Sequence, residues 1–170
     1  MGRSPNDGEF TELVHAAWPG LYRTAYLLLG DHALAEDLVQ SALANTYASW
    51  GGMRDLGAAH GYARTAMLNT AASWFRRRSW RQELPSEVVP DAGYVEDATA
   101  RPAVLDALRQ LPAGQRAVVV LRYYEDLSVR ETAAALGVSE GTVKSQTSAA
   151  LRRLRALLGE AVVPIGEGAV

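Results

Sequence analysis

Residues 128–158, SVRETAAALGVSEGTVKSQTSAALRRLRALL, spell two helices joined by a tight turn. Ser128 can cap the first helix, and Glu131, three residues on, can reach back to complete a capping box. Ala133 is small enough for a close helix crossing, and Gly137 can take the left-handed conformation that ends a helix without a steric penalty. The turn is then Gly137, Val138 and Ser139, with Ser139 capping the second helix. In that helix Val143, Thr147, Ala150 or Leu151, Leu154 and Leu157 or Leu158 recur with the helical period and form a buried stripe. Lys144, Ser145, Ser148 and Arg152 fall on the opposite face. The spacing is that of a helix-turn-helix, whose second helix offers its N-terminal residues to base edges; Lys144 and Ser145 are the candidate readers. A helical hairpin with a merely solvated basic surface shares the periodicity, but it does not call for two caps, a small residue and a turn glycine together.

A formal net charge of −2 over 170 residues conceals an uneven distribution. Residues 1–53 hold two Arg against six acids, residues 54–82 six Arg against Asp55 alone, and residues 83–102 one Arg against five acids. Affinity for phosphate depends on a local basic face, not on the total. The cluster Arg76, Arg77, Arg78 and Arg81 is therefore a second candidate nucleic-acid surface, although a solvated helix end favoured by the macrodipole has the same composition.

Helical periodicity dominates and no sustained alternation of period two occurs, so the fold class is all-α. A first helix is expected from about Phe10 to Leu29, with Pro19 kinking or breaking it and Gly30 ending it. Asp31 can cap a second helix reaching about Trp50, in which Leu34, Leu38 and Ala42 form an apolar stripe opposite Glu36, Asp37 and Gln40. A glycine-rich loop follows, and a third helix runs from about His60 to Trp80. Residues 83–102 combine prolines and acids with few large apolar residues and read as a linker. The second domain begins near Ala103 and ends near Leu158; residues 159–170 read as a loose tail. The expected architecture is thus two small helical domains, 1–82 and 103–158, joined by a short acidic linker, the second carrying the helix-turn-helix.

Composition excludes several function classes. The chain has no cysteine, and His15, His32 and His60 are scattered, so neither a disulfide framework, a metal site nor a cofactor is expected. No apolar run is long enough to cross a bilayer and the N-terminal residues lack a signal-peptide core, which predicts a cytoplasmic protein without membrane insertion. Glu36 and Asp37 are adjacent, not facing, and neither a phosphate-binding loop nor a Ser, His and Asp set is evident, so no enzyme is expected.

Three segments in order, DHALAEDLVQSALANTYASW (31–50), YARTAMLNTAASWFRRR (62–78) and LPAGQRAVVVLRYYEDLSVRETAAALGVSEGTVKS (111–145), resemble a bacterial RNA polymerase sigma factor of the extracytoplasmic-function group. The resemblance covers about residues 10–158. It implies that Glu36, Asp37, Leu38 and Gln40 dock on the clamp helices of the polymerase largest subunit, and that the second domain meets the flap of the second-largest subunit. It further implies that the 51–61 loop, with Met53 and Arg54, and Asn69 hold a flipped base of the melted −10 element, with Arg76 and Arg77 on backbone phosphate. Extruded bases offer an edge to an amide and a face to apolar groups, which suits these residue types. For the −35 element the resemblance implies contacts from Arg122, Lys144 and Ser145. Ser148 and Ala149 depart from the bulky or basic readers common in the group, which implies an altered base preference. The linker acids Glu83, Glu87, Asp91, Glu96 and Asp97 either imitate nucleic acid in the polymerase channel or serve as a solubilising spacer. Anti-sigma partners are common in the group. A stand-alone DNA-binding regulator with a helical sensor domain is the competing class, and it would require a ligand pocket in the first half.

Overall fold

The computed structural model describes residues 6–77 and 102–159. Among these the fold is all-helical, without a strand. The acidic linker, Arg78, Arg81 and the tail beyond Gly159 lie outside the described residues.

Helix α1 (Asp7–Leu29) starts at a capping box that the Asn6-x-x-Glu9 spacing encodes: Asn6 Oδ1 accepts from the Glu9 amide, and the Asn6 amide donates to Glu9. The helix therefore begins earlier than Phe10. It runs through Pro19 without a break. The missing amide leaves the His15 carbonyl without its helical donor, but both residues are exposed and water can serve instead. Gly30 ends α1 in the left-handed conformation. Asp31 then caps α2 (His32–Ala48) by accepting from the Leu34 amide. Two short 3₁₀ turns, Trp50–Gly52 and Leu56–Ala58, carry the glycine-rich segment to α3 (Ala59–Arg76). The third helix is shorter than its periodicity predicts, because Arg77 is extended.

The C-terminal helices are α4 (Pro102–Arg109), α5 (Ala113–Val119), α6 (Val129–Leu136) and α7 (Glu140–Leu158). A five-residue π turn, Val120–Tyr124, follows α5 and closes with the Glu125 amide on the Val120 carbonyl. It was not foreseen from the sequence. Ser128 and Glu131 form the expected reciprocal cap of α6, Gly137 is left-handed and Ser139 caps α7. Val143, Ala150 and Leu154 are buried in α7 as the stripe requires; at its end Leu158 packs on the core while Leu157 is 45% exposed.

The two sets of helices do not stand apart. Leu28 of α1, Leu68, Ala71 and Phe75 of α3, Leu121 of the π turn and Leu136 of α6 line one apolar seam, and the buried core is continuous across it.

Candidate nucleic-acid interface

On α7 the side chains of Lys144, Ser145, Ser148 and Arg152 are exposed, while Val143 beside them is fully buried. Residues 144, 148 and 152 repeat at one-turn intervals and so occupy one ridge. The Ser139 cap accepts from the Thr142 amide at 3.0 Å, and the Ser145 hydroxyl donates to the Thr142 carbonyl at 3.0 Å, which fixes the first turn of the helix. This ridge can enter a major groove, presenting two cations flanked by hydroxyls.

Arg122 is placed differently. Its side chain is half-buried, Nη1 donates to the Leu127 carbonyl at 2.8 Å, and Nε is buried without a partner among the described residues. It braces the segment where Asp126 takes a positive φ of 56° on the way into α6.

The second surface lies on α3. Asn69, Arg76 and Arg77 are exposed, Arg54 is exposed and Met53 half-buried in the loop. Sequence reasoning missed Tyr62 here. Tyr62, Asn69 and Arg76 are spaced by seven residues and share one face of α3, and the Tyr62 hydroxyl donates to Ser49 Oγ at 2.9 Å, holding an exposed ring beside the glycine-rich turns. An aromatic face, an amide and a cation in line can engage an unpaired strand by stacking, edge recognition and charge.

Helix α2 exposes Glu36, Asp37 and Gln40 on its outer face. Leu38 is fully buried, along with Ala35, Val39 and Ala42 on the inner stripe, so it seats the helix and cannot itself touch a partner. The expected docking set is corrected accordingly. His32 proves to be a packing residue: its ring stacks at 4.4 Å on Tyr26, and the Tyr22 hydroxyl lies 2.5 Å from Nδ1. Burial, and then the nearby charges of Glu36 and Asp31, raise the Tyr22 phenol above its ordinary value.

Four residues that the sequence reading did not single out for function meet at the seam. Arg116 is 6% exposed; Nε donates to the Leu28 carbonyl at 3.0 Å and Nη2 to the Leu29 carbonyl at 3.1 Å, capping α1 from the opposite bundle. Burial, aided by the charge of Arg109, lowers its basicity. Glu125, also buried, accepts from the Thr24 hydroxyl at 2.5 Å and from Arg64, which ion-pairs with it and also donates to its carbonyl at 2.9 Å. The available signal was a charged residue embedded in an apolar run, as in GQRAVVVL.

Two exposed faces suited to nucleic acid, on separate helical bundles, define a DNA-engaging protein. The chain matches the family models for Sigma-70 region 2 over residues 13–81 and for Sigma-70, region 4 over residues 101–154. It is 47% identical over 151 residues to the RNA polymerase sigma-E factor of Streptomyces antibioticus, covering 86% of this chain and 83% of that protein. It is 36% identical over 152 residues to the ECF RNA polymerase sigma factor SigL of Mycobacterium tuberculosis, covering 82% and 83% respectively. Its fold is similar to that of the sigma factor RpoE of Bartonella quintana, solved in complex with the anti-sigma factor NepR, with a TM-score of 0.60, 28% identity, and coverage of 88% of this chain and 96% of that one. The chain belongs to the extracytoplasmic-function RNA polymerase sigma factors. No helix among the described residues is long and apolar enough to cross a membrane.

Proposed function

We propose that this chain is a transcription initiation factor whose residues 1–82 dock on core RNA polymerase and hold the melted −10 element, while residues 103–158 read the −35 element as duplex. The observation that carries this reading is the pairing of two different exposed faces: a basic, hydroxyl-lined ridge on α7 and the Tyr62, Asn69, Arg76 line on α3. A groove-reading ridge needs no aromatic platform, whereas an unpaired strand does.

Lys144 and Arg152 supply charge to the major groove and its phosphates, with Ser145 and Ser148 as short-range partners. Arg122 braces the entry to α6 and offers Nη2 to a phosphate. Asn69 reads the edge of an extruded base, Met53 and Arg54 border its pocket, Tyr62 stacks, and Arg76 with Arg77 holds the backbone. Glu36, Asp37 and Gln40 meet the polymerase clamp helices, an acidic helix face against the largest subunit, and the second bundle meets the flap. Bond-making chemistry then belongs to the polymerase, and the factor works in the cytoplasm where the polymerase is. An anti-sigma partner, as the Bartonella protein has, fits the same reading.

The test separates the two faces. With purified core polymerase, Asn69→Ala should reduce promoter opening at least tenfold and leave binding to a −35 duplex unchanged. Lys144→Ala should weaken that duplex binding by about 1–3 kcal/mol and lower its salt dependence. Equal loss in both assays from either variant would reject the assignment.

A further inference from the structure

We propose that Ser49 is a positioning residue: its hydroxyl ties down the Tyr62 phenol, so that the ring offers an unpaired base its face alone and adds binding without base choice. This role rests on the initiation-factor reading above, in which α3 meets the unpaired strand. Elsewhere in the first bundle aromatic rings pack on one another: Phe10 meets Tyr47 and Trp50 edge to face at 4.8 and 5.2 Å, and Trp18, Tyr22, Tyr26 and His32 stack. Tyr62 has no such ring partner among the described residues, and it is exposed. Gly61 precedes it, and Gly51 and Gly52 follow its partner Ser49. None of the three has a positive φ, and an added Cβ at each would meet nothing within 4 Å. Glycine gives up more backbone freedom on folding than alanine does, so their bareness costs the fold something and leaves the ring open to a strand.

One bond holds the ring. The phenol donates to Ser49 Oγ at 2.9 Å, and Ser49 sits at the C-terminus of α2, where its side chain caps nothing in the turn that follows. As a staple between helices the pair would add little: both groups are exposed, and α2 and α3 already share a buried core that includes Ala42, Leu43, Ala63 and Met67. A hydrogen bond of ordinary net strength favours the tied ring by about fivefold, enough to order one side chain. The bond also spends the phenol's single proton. A ring so held cannot donate to a base edge, and stacking by itself tolerates any sequence because every base has a π face. Choice is left to Asn69, seven residues further along α3. The helix rises about 10 Å over that interval, about three steps of stacked bases, so the ring and the amide serve different nucleotides.

The test uses holoenzyme assembled from the full chain and core polymerase. Its probe is a fork-junction DNA, duplex upstream and unpaired across the −10 element, taken from a promoter recovered by run-off transcription on genomic fragments. With 2-aminopurine at each unpaired position in turn, the base on the ring is the one whose fluorescence rises in Tyr62→Ala. Competition among the four natural bases at that position then measures choice, and the wild-type affinities should agree within about twofold. Ser49→Ala should weaken binding about threefold to fivefold and, with the phenol proton released, open a preference among the four bases. Tyr62→Phe should weaken binding to the same extent but stay indifferent to the base, and Ser49→Thr should restore wild-type behaviour. The urea midpoints of Ser49→Ala and Tyr62→Phe should match that of the wild type. A strong base preference at that position in the wild type, unchanged affinity and choice in Ser49→Ala, or a binding loss matched by a fall in its urea midpoint would each overturn the positioning role. No change at any position in Tyr62→Ala would remove the ring as a platform, and the role of Ser49 with it. Failure of the wild-type holoenzyme to initiate on any fragment would instead overturn the initiation-factor reading, so the failures are distinguishable.

Discussion

Gly30 and Gly137 occupy matching places in the two bundles. Each ends a helix with left-handed backbone, at φ 67° and 65°, and each lies under an arginine from the opposite bundle. The arginines differ. Arg116 is buried over Gly30 and gives its donors to the α1 carbonyls, whereas Arg76 crosses Gly137 with its methylenes and remains exposed. Two residues of identical chemistry in reciprocal positions thus divide the work: one is part of the scaffold, the other stays open to solvent. What decides between them is whether carbonyls at a helix end lie within reach.

The largest effect is expected at Arg116. Replacing it with Ala strands two α1 carbonyls in the seam and should cost about 3 kcal/mol, read by urea unfolding. Lysine should not restore the loss, since an ammonium cannot reproduce the planar fork. A smaller effect is expected from the glycines. Ala at either position carries a left-handed backbone penalty of about 1–2 kcal/mol. At Gly30 the added Cβ would also lie 3.3 Å from the anchored guanidinium, while at Gly137 it would meet the Arg76 side chain at 2.8 Å. Because Arg76 is exposed it can swing away, so Gly30→Ala should be the more damaging, and adding Arg76→Ala should relieve only the Gly137 variant. Equal costs, or relief in neither, would erase the distinction. The smallest effect on stability should come from Arg76→Ala alone, within about 0.5 kcal/mol, together with weaker, less salt-sensitive binding of a single strand carrying the −10 sequence.

Local signals carried far in this chain. Asp31, Ser128 with Glu131, Gly137 and Ser139 each perform the capping role their residue type suggests, because a cap depends on neighbours within a few positions. The exposed faces of α2, α3 and α7 were legible for the same reason: a helix separates its sides by spacing alone. The capping box at Asn6 and Glu9 was equally local and was overlooked. Leu38 illustrates the limit of contiguous motifs, since it sits among the exposed Glu36, Asp37 and Gln40 in sequence but is about 100° away from its neighbour around the helix. The seam lay beyond such reading. Thr24 and Glu125 are separated by 101 positions, and nothing in either segment names the other. The expectation of two small helical domains said nothing of this contact, since a linker's composition says that its own residues bury little and is silent on whether the domains it joins touch.

The π turn at Val120–Tyr124 acts as a phase adjuster. One residue more than an α-helical turn advances everything downstream by about 100°, and it is this rotation that sends Glu125 inward to Thr24 and Arg64 while Tyr123 and Tyr124 face solvent. A cousin lacking that added residue would aim its recognition ridge along a different bearing relative to α3. The angular relation between the α7 ridge and the exposed face of α3 is therefore set by the wide turn that separates them, not by the surfaces themselves.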